Sequence, residues 1–423
     1  MRNFDAILTN IGKLHTCANN GKPKKGKEMA NTGVIADVAV AISAGKIAAI
    51  TDSKTAQNTW NAPDIVDCGG KTVIPGLVDC HTHIVYAGNR AAEFEQRIAG
   101  ATYMEIMAAG GGIMSSARAV RSASVEDLVA QALPRLEDMA KLGVITVEIK
   151  TGYGLTTTDE MKMLAAIETL AKRSPLTIVP TFLGAHAIPS EYREQPDTYV
   201  QIVLMEMLPA AKAWYEGSIF KQKGIPFYCD VFCENNAFTL SQSRQILSYA
   251  KELGLGIKIH SDEFTSLGGI PLGLELGASS VDHLDAATEQ DIRTLAGSEA
   301  VGVLLPGVNF NLGSTHYANA RLMIESGCAI ALSTDINPGS CPSPSLPLMM
   351  AIASRYQRVT PAEALNACTI NAAFAIGLGS SHGSIEVGKA ADLALLRSND
   401  YRTLSYEFGG NPIETVWKDG KVL

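Results

Sequence analysis

Gly76-Leu77-Val78-Asp79-Cys80-His81-Thr82-His83 is an apolar run that ends in two histidines one residue apart. Side chains alternate between the two faces of an extended chain, so a strand here presents His81 and His83 side by side at its C-terminal end. Seven further apolar runs have the same texture, at residues 145–150, 177–186, 228–234, 256–262, 279–284, 301–306 and 329–335, each separated from the next by a helical pattern. Strands alternating with helices predict βα units and a parallel sheet. Eight such strands are the number that closes a barrel.

Helix starts and stops fit that reading. Ser124-x-x-Asp127, Thr157-x-x-Glu160 and Thr239-x-x-Gln242 have the form of N-terminal caps, and Thr360-Pro361-Ala362-Glu363 adds a first-turn proline. Gly143, Gly254 and Gly327 fall where C-terminal caps belong. The long connections follow the first and third strands, and loops after C-terminal strand ends carry the active site in this architecture.

Outside the barrel the texture changes. Asp37-Val38-Ala39-Val40-Ala41-Ile42 near one end, and Asp392-Leu393-Ala394-Leu395-Leu396 with Thr415-Val416-Trp417 near the other, read as antiparallel strands. Neither end holds enough apolar residues for a core of its own. The expected fold is therefore α/β: a (β/α)8 TIM-type barrel over residues 71–379, with a small composite β-sandwich domain built from residues 1–70 and 380–423.

Composition narrows the function. The chain has 423 residues, 35 basic against 43 acidic side chains, a net charge of −8, and only 18% charged residues. An acidic balance with a pI near 5.6 excludes a nucleic-acid backbone as partner. The lysine-rich stretch from Lys22 to Lys27 is bracketed by glycine and proline and reads as a solvated loop. No apolar stretch is long enough to span a membrane, and Asp5 interrupts any leader-like core, which predicts a cytoplasmic protein. Eight cysteines without a Cys-x-x-Cys pair predict reduced, buried thiols. Gly110-Gly111-Gly112 lacks the Gly-Lys-Ser/Thr of a phosphate loop and reads as part of the first insertion.

Chemistry gathers at the strand ends. His81 and His83 close the first strand, His260-Ser261-Asp262-Glu263 the fifth, Asp282-His283 the sixth, and Ser333-Thr334-Asp335 the eighth. A parallel barrel brings these to one rim. Three nitrogens and a carboxylate suit Zn²⁺ or a similar ion with positions left open, and such an ion lowers the pKa of a bound water to about 7. The competing reading, that Asp335 only caps the following helix, stays open at this point.

Val73-Ile74-Pro75-Gly76-Leu77-Val78-Asp79-Cys80-His81-Thr82-His83 resembles the first-strand signature of the amidohydrolase superfamily, and Gly383-Ser384-Ile385-Glu386-Val387-Gly388-Lys389-Ala390-Ala391-Asp392 its returning β-domain segment. Further segments carry a closer resemblance within it: Tyr86-Ala87-Gly88-Asn89-Arg90, Lys150-Thr151-Gly152-Tyr153-Gly154-Leu155, Phe182-Leu183-Gly184-Ala185-His186, His260-Ser261-Asp262-Glu263-Phe264 and Asp335-Ile336-Asn337-Pro338-Gly339-Ser340.

The resemblance implies hydrolytic opening of a cyclic amide, an imidazolone bearing a propionate, in histidine degradation. It implies one metal ion, zinc or iron with zinc favoured, on His81, His83, His260 and Asp335. Binuclear relatives use a carboxylated lysine on the fourth strand, where this chain has none, and Lys150, ending the second strand, reads as a lysine ion-paired at the rim. In the implied chemistry Asp335 takes the water proton, His283 stabilises the developing oxyanion and Glu263 moves a proton to the departing ring nitrogen. The propionate calls for Arg90, with Tyr153 and His186 beside it; Asn337, Gly339 and Ser340 would line the opposite side. A single-metal aminohydrolase of a nucleobase or pterin, and a non-catalytic scaffold on the same barrel, are the alternatives. The resemblance further implies a homodimer, acting on a small carboxylate-bearing molecule with neither nucleic acid nor membrane as partner.

Overall fold

The computed structural model describes residues 1–101, 105 and 110–423. The strands, numbered along the chain, are β1 (Arg2–Asn3), β2 (Ala6–His15), β3 (Val34–Ser43), β4 (Lys46–Asp52), β5 (Trp60–Asn61), β6 (Asp64–Asp67), β7 (Thr72–Pro75), β8 (Leu77–Asp79), β9 (Val144–Lys150), β10 (Thr177–Ala185), β11 (Tyr228–Cys233), β12 (Gly256–Ser261), β13 (Ser280–His283), β14 (Val301–Leu304), β15 (Ala329–Leu332), β16 (Leu393–Leu396), β17 (Ile413–Lys418) and β18 (Lys421–Val422).

β8 to β15 form one parallel sheet in strict chain order, the eight barrel strands expected from the apolar runs. Each is buried on both faces, which explains runs of continuous rather than alternating hydrophobicity. The seam between β15 and β8 carries no strand pairing among the described residues. It is bridged instead by the Asp79 carboxylate, which accepts from the Ser333 hydroxyl and from Thr334 through both its amide (3.1 Å) and hydroxyl (2.7 Å). Above it, the Asp335 N–H donates to the His81 carbonyl at 3.1 Å and the His83 N–H to that of Ile336 at 2.9 Å.

The chain's two ends share a second sheet of order β18-β17-β16-β7-β2-β3-β4, with β6 pairing to β2. Leu8, Leu14, Val40, Val73, Leu393, Leu395 and Trp417 are buried together on one side of it. Ile7, Ala39 and Ala41 are covered on the other by Ala56 and Trp60. No helix among the described residues is long and apolar enough to cross a membrane. All eight cysteines are buried and unpaired.

Two local expectations need correction. The helix Thr157–Arg173 is capped by Thr156, whose hydroxyl accepts from the Asp159 amide, one residue before the expected Thr157-to-Glu160 cap. Glu160 turns back into the loop after β9 and accepts the amides of Gly152, Gly154 and Leu155. The lysine-rich stretch is not simply solvated: Lys24 is buried, its Nζ on the Asn31 carbonyl at 2.5 Å, and Lys22 and Lys25 both lie 3.6 Å from Glu299. Caps at Ser124, Thr239 and Thr360 form as read, with a reciprocal side-chain bond in each.

Candidate active site

The strand ends of β8, β12, β13 and β15 meet at one rim. His81 and His83 lie just past β8, and their Nε2 atoms are 3.5 and 3.3 Å from Asp335 Oδ1. His260 Nε2 lies 3.4 Å from that of His83. The donor atoms of His81, His83 and His260 all fall within 4.8 Å of one another, as do those of His81, His283 and Asp335. His81 Nε2 and Asp335 Oδ1 are buried without any hydrogen-bond partner. Buried polar atoms left unpaired are costly, so His81 Nε2, common to both sets, and Asp335 Oδ1 fit contact with a cation.

The protonation states agree. Burial, reinforced by Lys150 and the neighbouring imidazoles, holds His81 well below the ordinary histidine range, and burial does the same for His83 and His283. Their rings are neutral and have lone pairs to offer. Burial also holds the carboxyl of Asp335 up, against the pull of Lys150. Asp335 does not cap the next helix, whose cap is Ser345. Asp262, His283, Leu284 and Asp335 all take positive φ at these strand ends, with His283 at 82°. Strain of this kind, of order 1–3 kcal/mol per residue, persists where the surroundings fix a side chain's aim.

Across the rim, Glu263 Oε2 lies 3.7 Å from His283 Nδ1. Its side chain is 12% exposed, and burial together with Asp335 raises its carboxyl well above the usual range. No helix begins at Glu263; the next starts at Gly269. His186 stacks on His83 with ring centroids 4.9 Å apart, and burial lowers it to about 3. Its Nδ1 meets the Gly152 carbonyl at 3.0 Å, so the neutral ring donates there and keeps Nε2 free. Tyr153, buried, packs 5.4 Å from the His186 ring.

Arg90 gives Nε and Nη2 to Glu93 Oε2 at 2.9 and 2.8 Å. It lies against Gly339, where a Cβ would overlap the guanidinium. Asn337 is spent on the turn itself: Oδ1 accepts from Gly339 and Ser340, and Nδ2 reaches the Asp335 carbonyl and Ser340 Oγ.

A sequence profile of the Amidohydrolase family matches residues 231–423. Imidazolonepropionases from Chloroflexus aggregans and Herpetosiphon aurantiacus are each 51% identical over 100% of this chain, covering 99% and 98% of those proteins. That from Bacillus velezensis is 43% identical over 100% of this chain and 97% of its own. The chain belongs to the imidazolonepropionase family. Membership makes it a hydrolase acting on carbon–nitrogen bonds. The fold alone is shared more widely: a zinc-bound adenosine deaminase from Xanthomonas campestris has a TM-score of 0.72 at 18% identity, covering 99% of this chain and 93% of that one. Guanine deaminase from E. coli has a TM-score of 0.71 at 13% identity, covering 99% and 98%.

Beneath the rim of this imidazolonepropionase family member lies a charged layer that sequence reasoning did not assemble. Asp282 Oδ2 sits 2.6 Å from His81 Nδ1, and Asp230 Oδ2 3.0 Å from His260 Nδ1. Lys150 Nζ ties Glu148 (2.7 Å) to Asp230 (2.8 Å) and lies 3.8 Å from Asp282. Lys258 Nζ donates to the Cys80 carbonyl at 2.9 Å, with Glu148 and Asp282 each 3.6 Å away. Lys150 is thus ion-paired as read, but inside the barrel rather than at its rim. Against the upward pull of burial, His260 and Lys150 hold Asp230 well below the carboxylate range. Carboxylates on the far nitrogens of ligating imidazoles fix the tautomer that leaves Nε2 free.

Proposed function

We propose that this chain hydrolyses 4-imidazolone-5-propanoate to N-formimidoyl-L-glutamate, adding water across the cyclic amide C–N bond. The observation that carries this reading is the buried cluster at the mouth of the barrel, in a chain of this family: the donor atoms of His81, His83 and His260 lie within 4.8 Å of one another, and His81 Nε2 and Asp335 Oδ1 have no hydrogen-bond partner. Those four residues would hold a single ion, zinc in preference to iron. The ion, when bound, supplies a Lewis acid for the ring carbonyl and lowers the pKa of water.

The chain's own residues do the rest. Asp335, beside the place where that ion would sit, accepts the water proton on its carboxylate. His283, across from it, donates to the carbonyl oxygen as negative charge develops there. Glu263, kept protonated by burial and by Asp335, gives its proton to the ring nitrogen as the C–N bond breaks. Arg90 receives the propionate, with Tyr153, His186 and the Asn337-Gly339-Ser340 turn around the ring. The protein would act in the cytoplasm as a homodimer, and the composite β domain would be residues 1–70 with 380–423, extended by β7, which pairs within the same sheet.

A direct assay tests this. The purified chain is expected to consume imidazolonepropionate, to hold about one metal equivalent, and to leave nucleobases and pterins untouched. Turnover of a nucleobase without turnover of imidazolonepropionate overturns the reading.

A further inference from the structure

The guanidinium of Arg90 is already half engaged. Its Nε and Nη2 donate to the same oxygen of Glu93, at 2.9 and 2.8 Å, and that oxygen also accepts the Gly112 amide at 3.1 Å. One carboxylate oxygen thus collects N–H groups from the start of the helix Ala91–Ile98 and from the far end of the first insertion. Arg90 and Glu93 are equally withdrawn from solvent, each side chain 17% exposed, so this is no freely solvated surface pair.

An arginine has two edges that can each meet a carboxylate with two parallel bonds: the side edge of Nε and Nη2, and the end edge of Nη1 and Nη2. Glu93 takes the side edge. Among the described residues the end edge gives no hydrogen bond through Nη1, the atom that lies over Gly339. Gly339 stands four residues after Asp335, on a turn held by Asn337. The end edge therefore lies beside the wall of the pocket that follows the ligand strand.

We propose that Glu93 is a positioning residue for substrate selection: it anchors Arg90 by the side edge, so that the end edge is presented, already oriented, to the carboxylate of the substrate. Fixing a long side chain before binding removes an ordering cost from the binding step. Gly112 extends the device, because its amide bond to Glu93 makes the clamp depend on the fold of the first insertion. The inference rests on the propionate-binding role given to Arg90 above.

Steady-state kinetics of the metal-loaded chain and of Glu93→Gln and Glu93→Asp decide it, using imidazolonepropionate and its neutral methyl ester. Gln keeps the shape and removes the charge; Asp keeps the charge and retracts it. Each variant is expected to raise KM for the carboxylate substrate, by about tenfold for Gln and less for Asp, with kcat changed less than about threefold. Neither variant should change kcat/KM for the ester, which a general loss of structure would reduce.

An unchanged or lowered KM for the carboxylate substrate in either folded variant overturns the proposal. A lowered value would mean that Glu93 competes with the substrate for Arg90. An equal loss on both substrates would also overturn it, leaving Glu93 a structural role only. If the parent chain turns over neither compound, the functional reading itself fails. Parent turnover with variant KM unmoved removes Glu93 alone.

Discussion

Gly339 has no room for a side chain. A Cβ built there overlaps Arg90 Nη1 and comes within 2.6 Å of its Cζ. The obstacle is the end of a flexible side chain, so Gly339→Ala should fold with nearly unchanged stability while pushing Arg90 aside. KM for the carboxylate substrate is expected to rise about tenfold with kcat little altered, the loss of one charge-assisted contact. A melting temperature lowered by many degrees would place the glycine's role in folding instead. His15, far from the rim, allows a separate test. Burial, with Lys13 adding to it, lowers this imidazole to about 4; its Nδ1 meets Thr32 Oγ1 at 2.8 Å and its ring packs 4.3 Å from that of Tyr401. The folded ring stays neutral while the unfolded one takes a proton below about 6.5, so stability falls as pH drops from about 6.5 towards 4. Denaturant titrations at pH 7.5 and 5 should show a smaller acid loss in His15→Gln than in the parent; an equal loss would show that this ring does not contribute.

Single strands carry most of what could be read from the chain. All eight barrel strands begin within two residues of their apolar runs, because continuous hydrophobicity bounded by turns has few other solutions in an alternating pattern. The histidines were legible because they sit where strands end. The charged layer was not, since Glu148, Lys150, Asp230, Lys258 and Asp282 look like isolated blemishes in apolar segments. A signal was nevertheless present: Glu148 pairs in parity with Lys150 on β9, and Lys258 with His260 on β12, so period-two spacing points them to one face. Which carboxylate meets which imidazole depends on strand order and register, 201 residues separating Asp282 from His81. Asp282→Asn removes the acceptor that sets the His81 tautomer, and metal affinity measured by competition with a chelator should fall about 10–100-fold. Unchanged affinity would assign Asp282 to balancing Lys150 and Lys258 alone. The misplaced cap at Thr157 has a similar origin: Thr156-x-x-Asp159 and Thr157-x-x-Glu160 are both valid patterns, and three loop N–H groups that need the Glu160 carboxylate as acceptor decide between them.

At the scale of the molecule, low charge reflects two interiors. One lies in and around the barrel; the other is closed only when both chain ends contribute, since β7 pairs with β16 and Leu393, Leu395 and Trp417 lie beside Leu8, Leu14 and Val40. A chain stopped after Ser384 would lose β16, β17 and β18 and bare the apolar side of β2 and β3. It is expected to be insoluble when expressed, and a soluble product with native circular dichroism would contradict this.

The unpaired seam has a consequence for the order in which the barrel comes apart. Every other neighbouring pair of staves is joined by a ladder of backbone bonds, but β15 and β8 are joined by the Asp79 carboxylate and by two amide bonds at the rim. Asp335 stands on one side of that gap, His81 and His83 on the other. An ion gripping all three would act as a clasp across the one joint that has no strand ladder among the described residues. Stripping it should loosen this joint before any other, and amide exchange in the ion-free protein should quicken first along the flanks of β8 and β15.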